Sequence, residues 1–319
     1  MLVQRIMLIP FVYHILFFTV VTAARVTEKF GFGLDRLRSQ DTKTSPKPLT
    51  PAEQPLQFPQ WLEAFTGLKS WPGNEPPYIP LDFIDFSQVP QIPAHNQGQC
   101  QGLVNACSFD CFNCISYDDV YTCPRLSQTF DDGPTPQTIK LVLDGGLKDK
   151  LTFFTLGVNV VRYPHIYREV VRHGHVMGSH TWSHKYLPSL LNEQIVAQLE
   201  WSIWAMNATA GHLPKWFRPP YGGVDDRVRA IVRQFGMQLV LWNMDTFDWK
   251  LFDNLRTEQE ILGDIDKYTL SNQGLGLVLE HDTTLATVNL AINIQKKLPK
   301  QMTVPQCVGG IDYIKLFKE

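Results

Sequence analysis

Two adjacent carboxylates, Asp131 and Asp132, lie in the hexapeptide Thr129-Phe130-Asp131-Asp132-Gly133-Pro134, where an apolar stretch from Leu126 to Phe130 runs out into a Gly-Pro turn. Like charges that close raise one another's pKa unless a cation or an arginine lies between them. An Asp-Asp-Gly-Pro turn also suits solvated acids for purely local reasons, so the pair needs company before it means chemistry. The rest of the chain supplies it. His180 and His184 are four residues apart, on one face if the segment turns helically. Thr181 stands where the metalloprotease helix signature needs a glutamate, which excludes that signature. Two imidazoles and a carboxylate make a catalytic zinc-type shell that leaves a position for water. The same set suits non-haem iron, but no pocket for an oxygen-using cosubstrate is legible.

Further polar groups recur after later apolar runs. Arg218-Pro219-Pro220-Tyr221-Gly222 offers a permanent cation that can hold a carboxylate through two hydrogen bonds, and a stiff loop that can aim the Tyr221 N–H at a developing oxyanion. Asp245-Thr246-Phe247-Asp248-Trp249 follows the run ending at Trp242, and His281 closes the run from Leu277. A histidine there, with an aspartate to fix its tautomer and raise its pKa, can serve as a general acid. A metal shell, a base, an oxyanion stabiliser and an acid together suit metal-assisted hydrolysis of an amide or ester.

These groups need elements that bring them together. Strands are expected at Leu126 to Phe130, Leu151 to Thr155, His175 to Ser179, Trp216 to Arg218, Met237 to Trp242, Leu275 to His281 and Met302 to Cys307. Helices are expected at Thr135 to Leu143, Pro164 to His173, Asn192 to Ala210, Asp225 to Phe235, Thr257 to Tyr268 and Thr284 to Leu298. Asn192 before Glu193, Pro164 in a first turn and the Thr257/Glu260 capping box mark three helix starts. Alternating βα units imply an α/β fold with a parallel sheet. No glycine-rich dinucleotide fingerprint follows the first strand, and Asp131, His180, Arg218, Asp245 and His281 all fall at carboxyl ends of different strands. A barrel gathers those ends into one ring, so a distorted or incomplete β/α barrel with an irregular N-terminal extension is expected.

Residues 1–24 read as a secretory signal peptide: Arg5, an apolar run from Ile6 to Val21, and a small-residue exit to Ala24. No later stretch is apolar enough to span a membrane, and a net charge of −2 without a basic stripe argues against nucleic acid. No obligate protein partner is implied. Residues 25–99 carry eleven of the 22 prolines and form a linker that becomes an irregular belt, since Phe58, Trp61, Leu62, Phe65, Trp71, Tyr78, Phe83 and Phe86 are too apolar for a free tail. Residues 100–123 hold Cys100, Cys107, Cys111, Cys114 and Cys123, and Cys307 stands far off. In an oxidising compartment an even count reads as three disulfides of unfixed connectivity, with Cys307 paired across the chain if all are paired. A zinc knuckle on Cys111 and Cys114 is the lesser reading. Asn207 opens the sequon Asn207-Ala208-Thr209, which predicts a surface position.

Thr129-Phe130-Asp131-Asp132-Gly133-Pro134, His180-Thr181-x-x-His184, Arg218-Pro219-Pro220-Tyr221, Asp245-x-x-Asp248-Trp249 and Leu277-x-Leu279-x-His281 resemble, in order, the five motifs of the polysaccharide deacetylases with a NodB-homology domain, carbohydrate esterase family four. The resemblance covers roughly Cys123 to Ile314, within a domain placed at 124–319. The Cys-rich segment and Trp201-Ser-Ile-Trp-Ala-Met-Asn-Ala-Thr209 are further similar to fungal chitin deacetylases, of the kind yeasts use in the spore wall. The resemblance implies a catalytic base at Asp131, a zinc or cobalt ion on Asp132, His180 and His184, and an orienting Arg218. It further implies an oxyanion donor at the Tyr221 N–H and a general acid at His281, tuned by Asp245 or Asp248. Leu279 would line an acetyl pocket and Trp249 would wall the groove. Trp182, and with it Trp216, would offer further flat surface to sugar rings. The implied substrate is chitin or its oligosaccharides and the implied location extracellular, in the cell wall or spore wall.

Overall fold

The computed structural model describes residues 54–144 and 147–317. The signal peptide expected over residues 1–24 and most of the expected linker lie outside the described residues. Nine strands are described: β1 (Ser127–Asp131), β2 (Thr152–Thr155), β3 (Val176–Ser179), β4 (His212–Pro214), β5 (Trp216–Phe217), β6 (Gln238–Leu239), β7 (Met244–Asp245), β8 (Leu277–His281) and β9 (Tyr313–Leu316). Seven of them form one sheet in the order β6-β5-β3-β2-β1-β8-β7, every pair parallel, while β4 and β9 form a small antiparallel pair.

The sheet curls because of its connectivity. Its two edge strands, β6 and β7, are joined by only Val240, Leu241, Trp242 and Asn243. Five virtual bonds reach at most about 18 Å, so the edges of a seven-stranded sheet must turn toward each other. The gap is plugged by the chain just before β1. The Val120 N–H donates to Leu239 O and Val120 O accepts from the Leu241 N–H, while Asn243 Nδ2 donates to Thr122 Oγ1. The architecture is an incomplete β/α barrel. Met237 to Trp242, expected as one strand, is therefore broken: the backbone bends after Leu239 to cross the gap.

Helices cover the outside, and their sequences explain their ends. Asn192–Ala210 is buried on all sides from Ile195 to Ile203, between the barrel and the N-terminal belt, and stops at Gly211, whose left-handed φ of 62° suits a residue without Cβ. Its start differs from expectation: Leu191 is the N-cap, and Asn192 is the first helical residue with no capping bond. Thr257 caps Glu258–Ser271 through the expected box with Glu260. Pro136–Ile139 passes into a π-turn, Lys140–Asp144. Met302 to Cys307, expected as a strand, is the short helix Val304–Val308, because Thr303 caps it and Pro305 falls in its first turn. Asn207, expected at the surface, is half-buried inside Asn192–Ala210, and Thr209 is buried with its hydroxyl donating to Ala205 O.

The extension before the barrel is laid along it. Leu62 is wholly buried and Phe58, Trp71 and Tyr78 pack on the same core, whereas Trp61, Phe65 and Phe83 remain exposed. Hydrogen bonds tie this belt down: the Leu56 N–H donates to Val161 O, and the Trp201 indole N–H donates to Pro77 O. Disulfides join Cys100 to Cys111, Cys107 to Cys114 and Cys123 to Cys307, so Cys111 and Cys114 are not free for the zinc knuckle. No described helix is long and apolar enough to cross a membrane.

Glu200 lies almost wholly buried beneath the belt, one oxygen accepting the Ile79 N–H at 2.9 Å and the other without a donor. Burial pushes it up to about 8, only partly offset by the Ile79 hydrogen bond. Because the folded pKa lies above the unfolded one, the folded chain binds the extra proton, so this group's contribution to stability falls as pH rises from about 4.5 to about 8. Glu200→Gln keeps the acceptor for Ile79 and removes the titration. Tm measured at intervals across that range should fall less steeply in the variant than in the wild type.

Candidate active site

All the strand-end residues singled out from the sequence face one mouth, and the register of β1 with β8 explains why. Asp131 pairs directly with His281, and Thr129 with Leu279. Side chains alternate along a strand, so Thr129 and Asp131 share a face, as do Leu279 and His281. Asp132 would point the other way if the strand continued. It does not, because its φ of 76° takes the backbone into the left-handed region and swings the second carboxylate back toward the same mouth. Aspartate is among the few residues that enter this region readily. Asn159 holds the turn by donating to Asp132 O at 2.8 Å.

Asp132, His180 and His184 bring one ligand atom each within 4.8 Å of one another. Asp132 Oδ1 lies 3.5 Å from His180 Nε2 and 3.2 Å from His184 Nε2, yet this buried oxygen has no hydrogen-bond donor. His180 Nδ1 is 2.7 Å from Arg218 O, which can only accept, so the hydrogen sits on Nδ1 and the Nε2 lone pair faces the carboxylate. Burial holds His180 well below the usual imidazole range and lowers His184 as well, keeping both neutral. Lone pairs turned on a carboxylate oxygen repel unless a cation stands among them. Ligands about 2.0–2.1 Å from a tetrahedral zinc are roughly 3.3 Å apart, which matches the two observed separations. The residues fit a divalent ion.

Asp131 lies beside this triad, its Oδ2 3.7 Å from His180 Nε2. Its other oxygen accepts from Arg218 Nη1 at 2.9 Å. Burial pushes Asp131 up to about 6 although Arg218 and His281 pull it down. On the opposite flank His281 Nδ1 meets Asp248 Oδ1 at 2.7 Å, while the His281 N–H donates to Asp248 Oδ2 at 2.7 Å. Burial opposes the charged imidazolium, but Asp248 outweighs it and holds His281 up to about 10. Nε2 is left facing the triad, 4.0 Å from Asp132 Oδ2. Of the two candidate partners for His281, the structure places Asp248 there. Asp245 instead accepts the Phe247 N–H at 2.7 Å, folding the loop that carries Asp248.

Tyr221 has a φ of 60° and is 50 % exposed, its ring edge-on to His184 with centroids 4.5 Å apart. Trp249 is equally exposed, while Leu279 is buried and shares a strand face with His281. Trp182 offers no sugar surface. It is 1 % exposed and turned into the core, because its indole N–H donates to Gly73 O at 2.7 Å; Trp216 is wholly buried too. One buried residue escaped sequence reading. Asp282 accepts from Thr138 Oγ1 at 2.5 Å and sits under Gly133, where an added Cβ would fall 2.6 Å from its oxygen. The glycine in the hexapeptide is the trace it leaves in the sequence.

The chain belongs to the polysaccharide deacetylases, carbohydrate esterase family four: the family model described as polysaccharide deacetylase matches residues 119–240. Over 264 residues the chain is 61 % identical to chitin deacetylase 2 and 54 % identical to chitin deacetylase 1 of Saccharomyces cerevisiae. Each match takes in 82 % of this chain, with 83 % and 86 % of the respective relative. The fold is similar to that of the chitin deacetylase of Colletotrichum lindemuthianum, with a TM-score of 0.55 and 24 % identity over 63 % of this chain and 96 % of the other.

The geometry makes a claim about metal that does not depend on turnover. Zinc or cobalt titrated into the protein should bind at a single site. His184→Ala should weaken that binding by at least about 10–100-fold, the usual scale for loss of even an outer support, and Asp131→Asn should leave most of it intact. Isothermal titration calorimetry on the three proteins checks this.

Proposed function

We propose that this chain hydrolyses the N-acetyl groups of N-acetylglucosamine units in chitin, giving chitosan and acetate. The observation that carries the reading is the convergence of a cation-binding triad, Asp132, His180 and His184, between the Arg218-held Asp131 and the Asp248-held His281. Two close relatives named for that activity support the choice of substrate.

A divalent ion, zinc or cobalt by the two-nitrogen, one-oxygen donor set, would polarise the acetyl carbonyl and acidify a water when held by the triad. Asp131 takes the proton from the attacking water. Arg218 fixes its carboxylate by occupying one oxygen, so that the other faces the mouth. The Tyr221 N–H, on a loop stiffened by Pro219 and Pro220, assists as the carbonyl oxygen gains charge. His281 donates its Nε2 proton to the departing nitrogen, which could not leave as an amide anion, and Asp248 keeps that proton in place beforehand. Leu279 receives the acetyl methyl, and Trp249 with the Tyr221 ring lines the groove for the sugar chain.

We further propose that the protein is secreted and works in the fungal cell wall or spore wall. The three disulfides and the apolar leader support an oxidising destination. Glycosylation at Asn207, if it occurs, would have to precede burial of Thr209.

Acetate release assayed on chitin oligomers, peptidoglycan fragments and acetylated xylan is the direct test. Chitin oligomers should be preferred, and sugar binding with no acetate under any divalent metal would mark a glycan-binding protein instead. Asp131→Asn should lower turnover by about 10²–10⁴-fold, the range for loss of a general base. The pH profile should be bell-shaped, since Asp131 must be deprotonated and His281 protonated. Asp248→Asn removes the carboxylate that raises His281, so the alkaline limb of kcat should move to lower pH while the acid limb stays.

A further inference from the structure

The two histidine ligands lie on either end of a loop whose backbone is held in unusual conformations: Thr181 has φ 73° and His184 φ 61°. Non-glycine residues in the left-handed region cost free energy and persist only where their surroundings over-determine them. Inside the loop, one restraint is the His184 N–H donating to Thr181 Oγ1 at 3.0 Å. Trp182, Ser183 and Lys185, between and just after the ligands, meet the N-terminal belt. Trp182 Nε1 donates to Gly73 O at 2.7 Å, Ser183 Oγ donates to Asn74 O at 2.6 Å while accepting from Gln198 Nε2 at 3.0 Å on the barrel side, and Lys185 pairs with Glu75. Three consecutive belt residues thus grip three residues of the metal loop.

The grip is rigid on both sides. Trp71 stacks on Trp182 with centroids 6.1 Å apart, and the belt beyond Glu75 is anchored by Trp201 to Pro77 O and by Glu200 to the Ile79 N–H. On the barrel side, the Gly157 N–H and Val158 N–H donate to the carbonyls of Thr181 and Trp182. A Cβ at Gly157 would lie 2.4 Å from the Trp182 ring, so the indole has no room to shift toward that side. The belt lies outside residues 119–240, the part matched by the family model.

We infer that belt segment Gly73–Glu75 is a positioning element of the metal site, setting the separation of His180 and His184 through Trp182, Ser183 and Lys185. The inference rests on the metal reading above. It makes these residues supports of the ligands, since none of them touches the ion position.

The test is zinc affinity, measured by competition with a chromogenic chelator, alongside the Tm of the metal-free protein. The proteins are the wild type, Ser183→Ala with Lys185→Met, Ser183→Thr and His184→Ala. The double variant should lose about 10–100-fold in zinc affinity, as expected for lost outer support of ligands. Its metal-free Tm should change little, and Ser183→Thr, which keeps the hydroxyl, should bind like the wild type. A lowered Tm with unchanged zinc affinity would mean a merely structural contact and overturns the inference. Unchanged affinity in the double variant, with zinc lost in His184→Ala, overturns it while leaving the metal site standing; unchanged affinity in His184→Ala removes the metal site itself. Should the double variant not fold, Lys185→Met alone carries the same comparison, since the partner of Lys185 lies in the belt.

Discussion

The mouth of this barrel depends on one buried cation. Arg218 is wholly buried and donates to Thr129 Oγ1 and Asp131 Oδ1 from β1 and to the carbonyls of Val240 and Leu241 in the crossing between β6 and β7. Its guanidinium lies 4.2 Å over the Phe154 ring. A charge taken this far from water is costly unless it is paired and hydrogen-bonded, and here the acceptors come from β1 and from the crossing between β6 and β7. The same contacts that make Arg218 tolerable thus hold Asp131 still and tie β1 to the crossing between β6 and β7. Its own carbonyl does a further task, fixing the tautomer of His180.

Around that centre, two segments outside the repeating βα units brace opposite parts of the rim. The belt braces the His180–His184 loop. The disulfide-stapled segment braces the Tyr221 loop: Phe109 packs where a Cβ on Gly222 would come within 2.9 Å, and Tyr186, near the Tyr221 ring, donates to Asp110 Oδ2 at 2.6 Å. Both braced loops carry a non-glycine residue at positive φ. A βα barrel offers positions at its strand ends, and these additions remove the remaining freedom of the loops.

Much of this was readable before any coordinates. The alternation of strands and helices and the shared mouth follow from apolar runs ending in polar residues, which is a local signal; that Asp132 and not Asp131 joins the two histidines is implied only by the resemblance to the deacetylase motifs. What was not readable is what depends on the packing partner. Trp182 has a groove-like neighbourhood in sequence, between two ligands, and only the distant Gly73 turns it inward. Asp245 and Asp248 are equivalent by type and spacing, and the turn that buries one of them at His281 is set by Phe247 at φ 53°. The run Met302 to Cys307 has strand-like composition, but its capping threonine and Pro305 decide for a helix. Asp282 was passed over because its neighbours are Thr138 and Gly133, far off along the chain.

The pairing of Cys123 with Cys307 spans 184 residues, and the segment holding Cys123 also fills the seam between β6 and β7. A chain made from its amino end therefore presents this plug before the slot it fits exists. Until the last helix is made, the early cysteines have only one another as disulfide partners, although the strands that flank the seam are already in the chain. The bond to Cys307 must wait for nearly the whole chain, and once made it closes a single covalent loop around the strands and helices of the barrel.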